Sequence, residues 1–158
     1  MPMPAQHPPT NPNSPFASMA AHHVAIRVPD YQRTKDWYTS KLDFRVVHEW
    51  PYGDLELAYL APAADNNFHL EILGGTAPTP KIVFDDLAES LGVAGYHHFC
   101  MNVDSVDETL AELRRRAVTV IGEPFDLPAI SRRLGFFADL WGNVIELAEV
   151  LPEADSDR

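Results

Sequence analysis

Four short stretches of the chain carry residues that could bind a metal ion. They are "HHVAIRV" at 22–28, "FHLEIL" at 68–73, "HHFCMNV" at 97–103 and "NVIELAEV" at 143–150. The interval from His23 to Glu71 is 48 residues, and so is that from His98 to Glu146. Both members of the second pair lie 75 residues after their counterparts in the first. Side chains alternate between the two faces of a strand, so facing can be read from the pattern. Val24, Ile26 and Val28 form one apolar face, and His23, Ala25 and Arg27 the other. Phe99, Met101 and Val103 likewise oppose His98, Cys100 and Asn102. Glu71 lies opposite Phe68, Leu70 and Ile72, and Glu146 opposite Ile145 and Leu147. Two imidazoles and two carboxylates therefore share the non-core face of a curled sheet. Left bare, the carboxylates repel and each desolvated charge costs on the order of several kcal/mol. A divalent cation balances their charge, takes neutral imidazoles as further ligands and keeps one or two positions open. His23, Glu71, His98 and Glu146 are the candidate metal ligands.

The elements that must hold these residues repeat with them. Each doubled histidine opens a strand, an amphipathic helix follows, and three more strands come after it. In the first half Asp30 is the expected N-cap, with Tyr31, Thr34, Trp37, Tyr38 and Leu42 at helical spacing. In the second, Ser105 and Glu108 have capping-box spacing and Val106, Leu110 and Leu113 form the buried stripe. The remaining strands fall on "FRVVHEW", "LELAYLA" and "FHLEIL", then "VTVIGEPF", "RRLGFFAD" and "NVIELAEV". Each half reads β-α-β-β-β. The expected organisation is a proline-rich arm over 1–19, a first module over 20–75, a connector over 76–95, a second module over 96–151 and a polar tail over 152–158. The connector is long enough for a lid and carries one helical turn near Asp85 to Leu91. His22 and His97 are expected at the strand mouths on the helix side, Cys100 as a small filler, and His48 at the surface.

Composition narrows the function. The 158 residues carry a formal net charge of −11, which repels phosphate backbones and argues against nucleic-acid binding. No apolar stretch approaches the roughly 20 residues of a bilayer span. A single cysteine excludes an internal disulfide and fits a reducing, cytoplasmic compartment. The proline-rich start has neither a charged nor an apolar signal region and is expected to be disordered.

With these residues in place, the chain over about 21–149 resembles the vicinal oxygen chelate superfamily, the glyoxalase/bleomycin-resistance/extradiol-dioxygenase group. "HHVAIRVPDYQRTKDWYTSKLDF" is similar to its strand–helix opening and "FADLWGNVIEL" to its closing motif, with Leu140 and Trp141 in place of the usual residues. The glycines of "WGN" and "LGF" match its turns. The resemblance implies an α+β fold: two βαβββ modules forming a cupped eight-stranded mixed sheet, a half-barrel with helices outside. It implies one divalent ion (Ni, Co, Mn, Zn or Fe) on the concave face, held by His23, Glu71, His98 and Glu146. It also implies a homodimer, in which modules pair either within one chain or across two.

The His, Glu, His, Glu quartet resembles glyoxalase I-like lyases and isomerases, which act on a small carbonyl or thiol-adduct substrate. There a proton moves alpha to an oxygen that the metal holds, with Glu146 the first candidate base and Glu71 the second. Arg27 matches an arginine that contacts the glutathione carboxylate in such enzymes, whereas Gly75 stands where they tend to place an asparagine. His69, two residues before Glu71 on its face, and Asn102, beyond His98, join Arg27 as candidate substrate contacts. Two other readings share the cleft: an Fe(II) extradiol-type dioxygenase using a two-His, one-carboxylate triad, and a drug-binding protein of the bleomycin-resistance kind.

Overall fold

The computed structural model describes residues 8–76 and 78–152. The start of the proline-rich arm (1–7), one connector residue and most of the tail (153–158) lie outside the described residues. The first module runs β1 (His23–Arg27), α1 (Tyr31–Leu42), β2 (Arg45–Tyr52), β3 (Leu55–Ala61) and β4 (His69–Leu73). A short helix α2 (Leu87–Ser90) interrupts the connector. The second module runs β5 (His98–Asn102), α3 (Val106–Arg115), β6 (Thr119–Leu127), a single 3₁₀ turn, β7 (Arg132–Ala138) and β8 (Val144–Val150). The fold is α+β and built from two βαβββ modules.

Local chemistry sets the helix ends. The Asp30 carboxylate accepts from the Arg33 amide at 2.9 Å, and the Ser105 hydroxyl from the Glu108 amide at 3.2 Å. Asp86 caps α2 in the same way, accepting from the Glu89 amide. Asp43 ends α1 in the left-handed region at φ 54°.

The strands form two four-stranded sheets of the same order, β1-β4-β3-β2 and β5-β8-β7-β6. The first strand of each module pairs in parallel with its fourth, and the other ladders are antiparallel. Registers correspond: Ala25 lies opposite Glu71, and Cys100 opposite Glu146. One hydrophobic cluster runs through the helix-bearing faces of both modules, joining Ile26, Leu70 and Ile72 to Phe99, Leu110 and Ile145. Tyr38 reaches across it from α1, where its hydroxyl donates to Asp139 at 2.9 Å.

Gly135 lies inside β7 and not in the turn expected for the "LGF" glycine. A Cβ there would sit 2.7 Å from Leu110 and 2.8 Å from Val106. The glycine lets α3 press directly on the sheet, which no short-range pattern announces.

Candidate metal centre

His23 is the first residue of β1 and Glu71 the third of β4; His98 and Glu146 hold the same places in β5 and β8. His23 Nε2 lies 3.2 Å from Glu71 Oε2, and His98 Nε2 lies 3.1 Å from Glu146 Oε2. Exposure matches as well: the histidine side chains are 33% and 31% accessible, the glutamates 12% and 15%. The duplication has produced the same imidazole–carboxylate contact twice, each time on the sheet face opposite the core. The two contacts stay apart. Among the described residues of one chain, no three His, Cys, Asp or Glu side chains come together in a group that could hold a metal ion.

The doubled histidines behave differently from expectation. His22 and His97 precede their strands, so the pleat does not fix their direction, and both turn to the imidazole that follows. Nδ1 of His22 lies 2.8 Å from Nδ1 of His23, and Nδ1 of His97 lies 2.7 Å from Nδ1 of His98. His97 also meets the Ser90 hydroxyl at 2.9 Å through Nε2. Burial first, then the neighbouring His98 and Lys81, lower the pKa of His97 below the ordinary imidazole value.

The surroundings of the two pairs differ. Beside His23, His69 stacks on His22 with centroids 5.6 Å apart, and Tyr59 packs on both His23 and His69. Trp50 meets Tyr59 at 4.7 Å and His48 at 5.3 Å, extending an aromatic wall across the first sheet. Nδ1 of His69 is buried with no hydrogen-bond partner among the described residues. Around Glu146 the wall is apolar. Val144, Ala148, Leu134 and Phe136 form a second buried cluster, against which Leu87 of the connector and Ile130 pack. Phe136 touches His98 edge-on at 5.6 Å, while its neighbour Phe137 belongs to the main core.

Arg27 does not stand free. Its guanidinium donates to the carbonyl oxygens of Val28 and Leu73 at 2.8 Å and of Thr76 at 2.5 Å, clamping the start of the connector. Gly75 has φ 113°, and a Cβ there would lie 2.8 Å from the Asp54 carbonyl oxygen. Any side chain at that position meets both strain and backbone. Asn102 is exposed at the far end of β5.

Cys100 sits between His98 and Asn102 on the exposed face. Desolvation first, then the Glu146 carboxylate, push its thiol up to about 12. At that value almost no thiolate forms near neutrality, which disfavours nucleophilic chemistry at this thiol. In chelator-treated protein, iodoacetamide at about pH 8 is expected to label Cys100 at least 100-fold more slowly than free cysteine. Peptide mass spectrometry over time measures this; labelling at the free-thiol rate would overturn it.

Comparison with known proteins now identifies the group. The sequence model of the "Glyoxalase/Bleomycin resistance protein/Dioxygenase superfamily" matches residues 20–147. The chain belongs to this superfamily. It is 28% identical over 120 residues to the uncharacterized protein YwkD of Bacillus subtilis (strain 168), spanning 75% of this chain and 87% of that one. It is 23% identical over 132 residues to mitochondrial methylmalonyl-CoA epimerase of Bos taurus, spanning 81% and 73%. The trypanothione-dependent glyoxalase I of Leishmania major superposes with a TM-score of 0.62 at 24% identity, over 84% of this chain and 87% of that one. At the last two identities the likeness speaks for the fold. As a member of the superfamily, the chain shares its architecture with enzymes and with non-catalytic binding proteins. No described helix is long and apolar enough to cross a membrane.

Proposed function

We infer that this superfamily member is a divalent-metal-dependent lyase or isomerase of the glyoxalase I kind, working on a small carbonyl substrate. The observation that carries the reading is the His–Glu contact made twice, with the same atoms and the same exposure. Each pair offers one nitrogen and one oxygen, whereas a divalent ion takes four or more donors. Two pairs supply a charge-balanced set. β1 and β5 are edge strands, so a two-fold dimer can lay β1 of one copy beside β5 of its partner. Such a dimer joins two four-stranded sheets into the eight-stranded cup and faces His23 and Glu71 toward the partner's His98 and the partner's Glu146. The homodimer is part of this proposal.

In that centre the four side chains would hold the ion, which when bound would polarise a substrate carbonyl and stabilise negative charge on its oxygen. Glu146, released from the ion, would take the proton alpha to that carbonyl and give it back at the neighbouring carbon, and Glu71 is the second candidate for this role. Phe136, with Leu87 and Ile130 packed over the apolar wall beside Glu146, keeps water from the carboxylate. Trp50, Tyr59 and His69 give the rest of the substrate a flat surface. The relatives called epimerase and glyoxalase I support proton-transfer chemistry. Glutathione itself is disfavoured as the thiol partner, because Arg27 is bound to backbone and Gly75 excludes a side chain.

Metal titration tests the reading. Chelator-stripped protein is expected to bind one Ni²⁺ or Zn²⁺ per chain, and His23→Ala or His98→Ala to weaken binding by at least about 100-fold. A screen of hemithioacetals and epimerisable acyl thioesters then reports turnover. Glu146→Gln is expected to abolish it and keep the fold. Divalent binding that survives loss of both His23 and His98 would end this reading.

A further inference from the structure

We propose that His97 and Ser90 are positioning residues that hold the proton of His98 on Nδ1 and turn its bare Nε2 toward Glu146. With both imidazoles neutral, the hydrogen count fixes the direction of every link. Ser90 is only 2% exposed, and its hydroxyl donates its one hydrogen to the Leu87 carbonyl at 2.7 Å. At its 2.9 Å contact with His97 Nε2, Ser90 can therefore only accept, so that nitrogen carries a hydrogen. A neutral imidazole with hydrogen on Nε2 has a bare Nδ1. The 2.7 Å contact between the Nδ1 atoms of His97 and His98 then needs a donor, and His98 supplies it. The electron pair of His98 is left on Nε2, 3.1 Å from a carboxylate oxygen that can only accept. Two electron-rich atoms are held together, the arrangement a metal ion uses and one that a free imidazole would relax by changing tautomer.

Among the described residues, the first module lacks the end of this relay. His22 bonds His23 through Nδ1, but its ring stacks on His69 where His97 meets a serine. Proton ordering is therefore specific to the second module. Because Ser90 belongs to α2, the connector is tied to the metal site by hydrogen bonds as well as by the packing of Leu87.

Two measurements test the proposal, which rests on the metal-centre reading only in the second. In ¹⁵N-histidine-labelled, metal-free protein at about pH 9, above the ordinary histidine range, long-range ¹H–¹⁵N spectra report each tautomer. His98 is expected as Nδ1–H and His97 as Nε2–H, with the ordering lost in Ser90→Ala. Finding His98 as the Nε2–H tautomer overturns the proposal. Second, calorimetric titration with Zn²⁺ is expected to show His97→Leu weakened by roughly 10- to 100-fold. His97→Asn, whose amide oxygen takes the place of the Nδ1 acceptor, should recover most of the loss. A folded His97→Leu protein that binds Zn²⁺ like the wild type overturns the proposal and leaves the metal centre intact. Wild-type protein with the expected tautomers but no divalent binding would instead sink the metal centre and leave the relay standing.

Discussion

Mixing two inactive proteins is expected to restore metal binding and turnover. One carries His23→Ala and Glu71→Ala, the other His98→Ala and Glu146→Ala. Each alone keeps one intact His–Glu pair per chain and should bind divalent ions at least about 100-fold more weakly than the wild type. If the centre forms across a two-fold interface, each mixed dimer contains one site built from two intact modules and one built from two damaged modules. Random exchange makes half the dimers mixed, so metal content and activity should recover to roughly a quarter of the wild-type value. Pairing of modules within one chain gives no recovery at any mixing ratio. The reason to expect recovery is the packing. The helix-bearing faces of both modules share one core in the chain, and the two sheets make no ladder with each other among the described residues. Sizing of the mixture by light scattering checks that dimers exist. A monomer that still binds metal tightly would rule out the shared site.

The second large effect concerns stability. Asp139, in the closing "FADLWGN" motif, is 5% exposed, and its carboxylate accepts four hydrogen bonds. Oδ1 takes the amides of Trp141 and Asn143, both at 2.8 Å; Oδ2 takes the Tyr38 hydroxyl at 2.9 Å and the Asn143 side chain at 2.8 Å. Replacement by alanine leaves those donors unpaired, the Tyr38 hydroxyl fully buried and two of the others backbone amides of the part-buried β7–β8 turn. Asp139→Ala is expected to cost about 3–5 kcal/mol, a large share of the roughly 5–15 kcal/mol that holds a domain folded. Tyr38→Phe, which removes one donor and leaves the carboxylate with three, should cost about 1 kcal/mol. Urea unfolding of metal-free protein measures both. Equal losses in the two variants would show that the turn does not depend on the carboxylate. Tyr38 feels the same contact: burial first, then the Asp139 charge, raise its hydroxyl well above the ordinary tyrosine value. The closing motif is thus mainly a brace, which positions Glu146 three residues beyond Asn143.

The sequence by itself determined the local half of this protein. Strand alternation is a property of the backbone, so the facing of His23, Glu71, His98 and Glu146 followed from period two alone. Helix starts at Asp30 and Ser105 were legible because a cap is satisfied within three residues. The repeat could be read because duplication leaves its interval in the chain. What only the tertiary structure decided are contacts between distant segments. His22 and His97 lie just outside the pleat, and their direction comes from the imidazole beside them. Ser90 offered no signal, since its role exists only where the connector folds back on β5. Arg27 is drawn to carbonyls that β4 and the connector bring to it. The separation of the two His–Glu pairs is likewise a matter of which sheet faces pack together, and the balance of core burial between modules leaves no mark in the local order of residues.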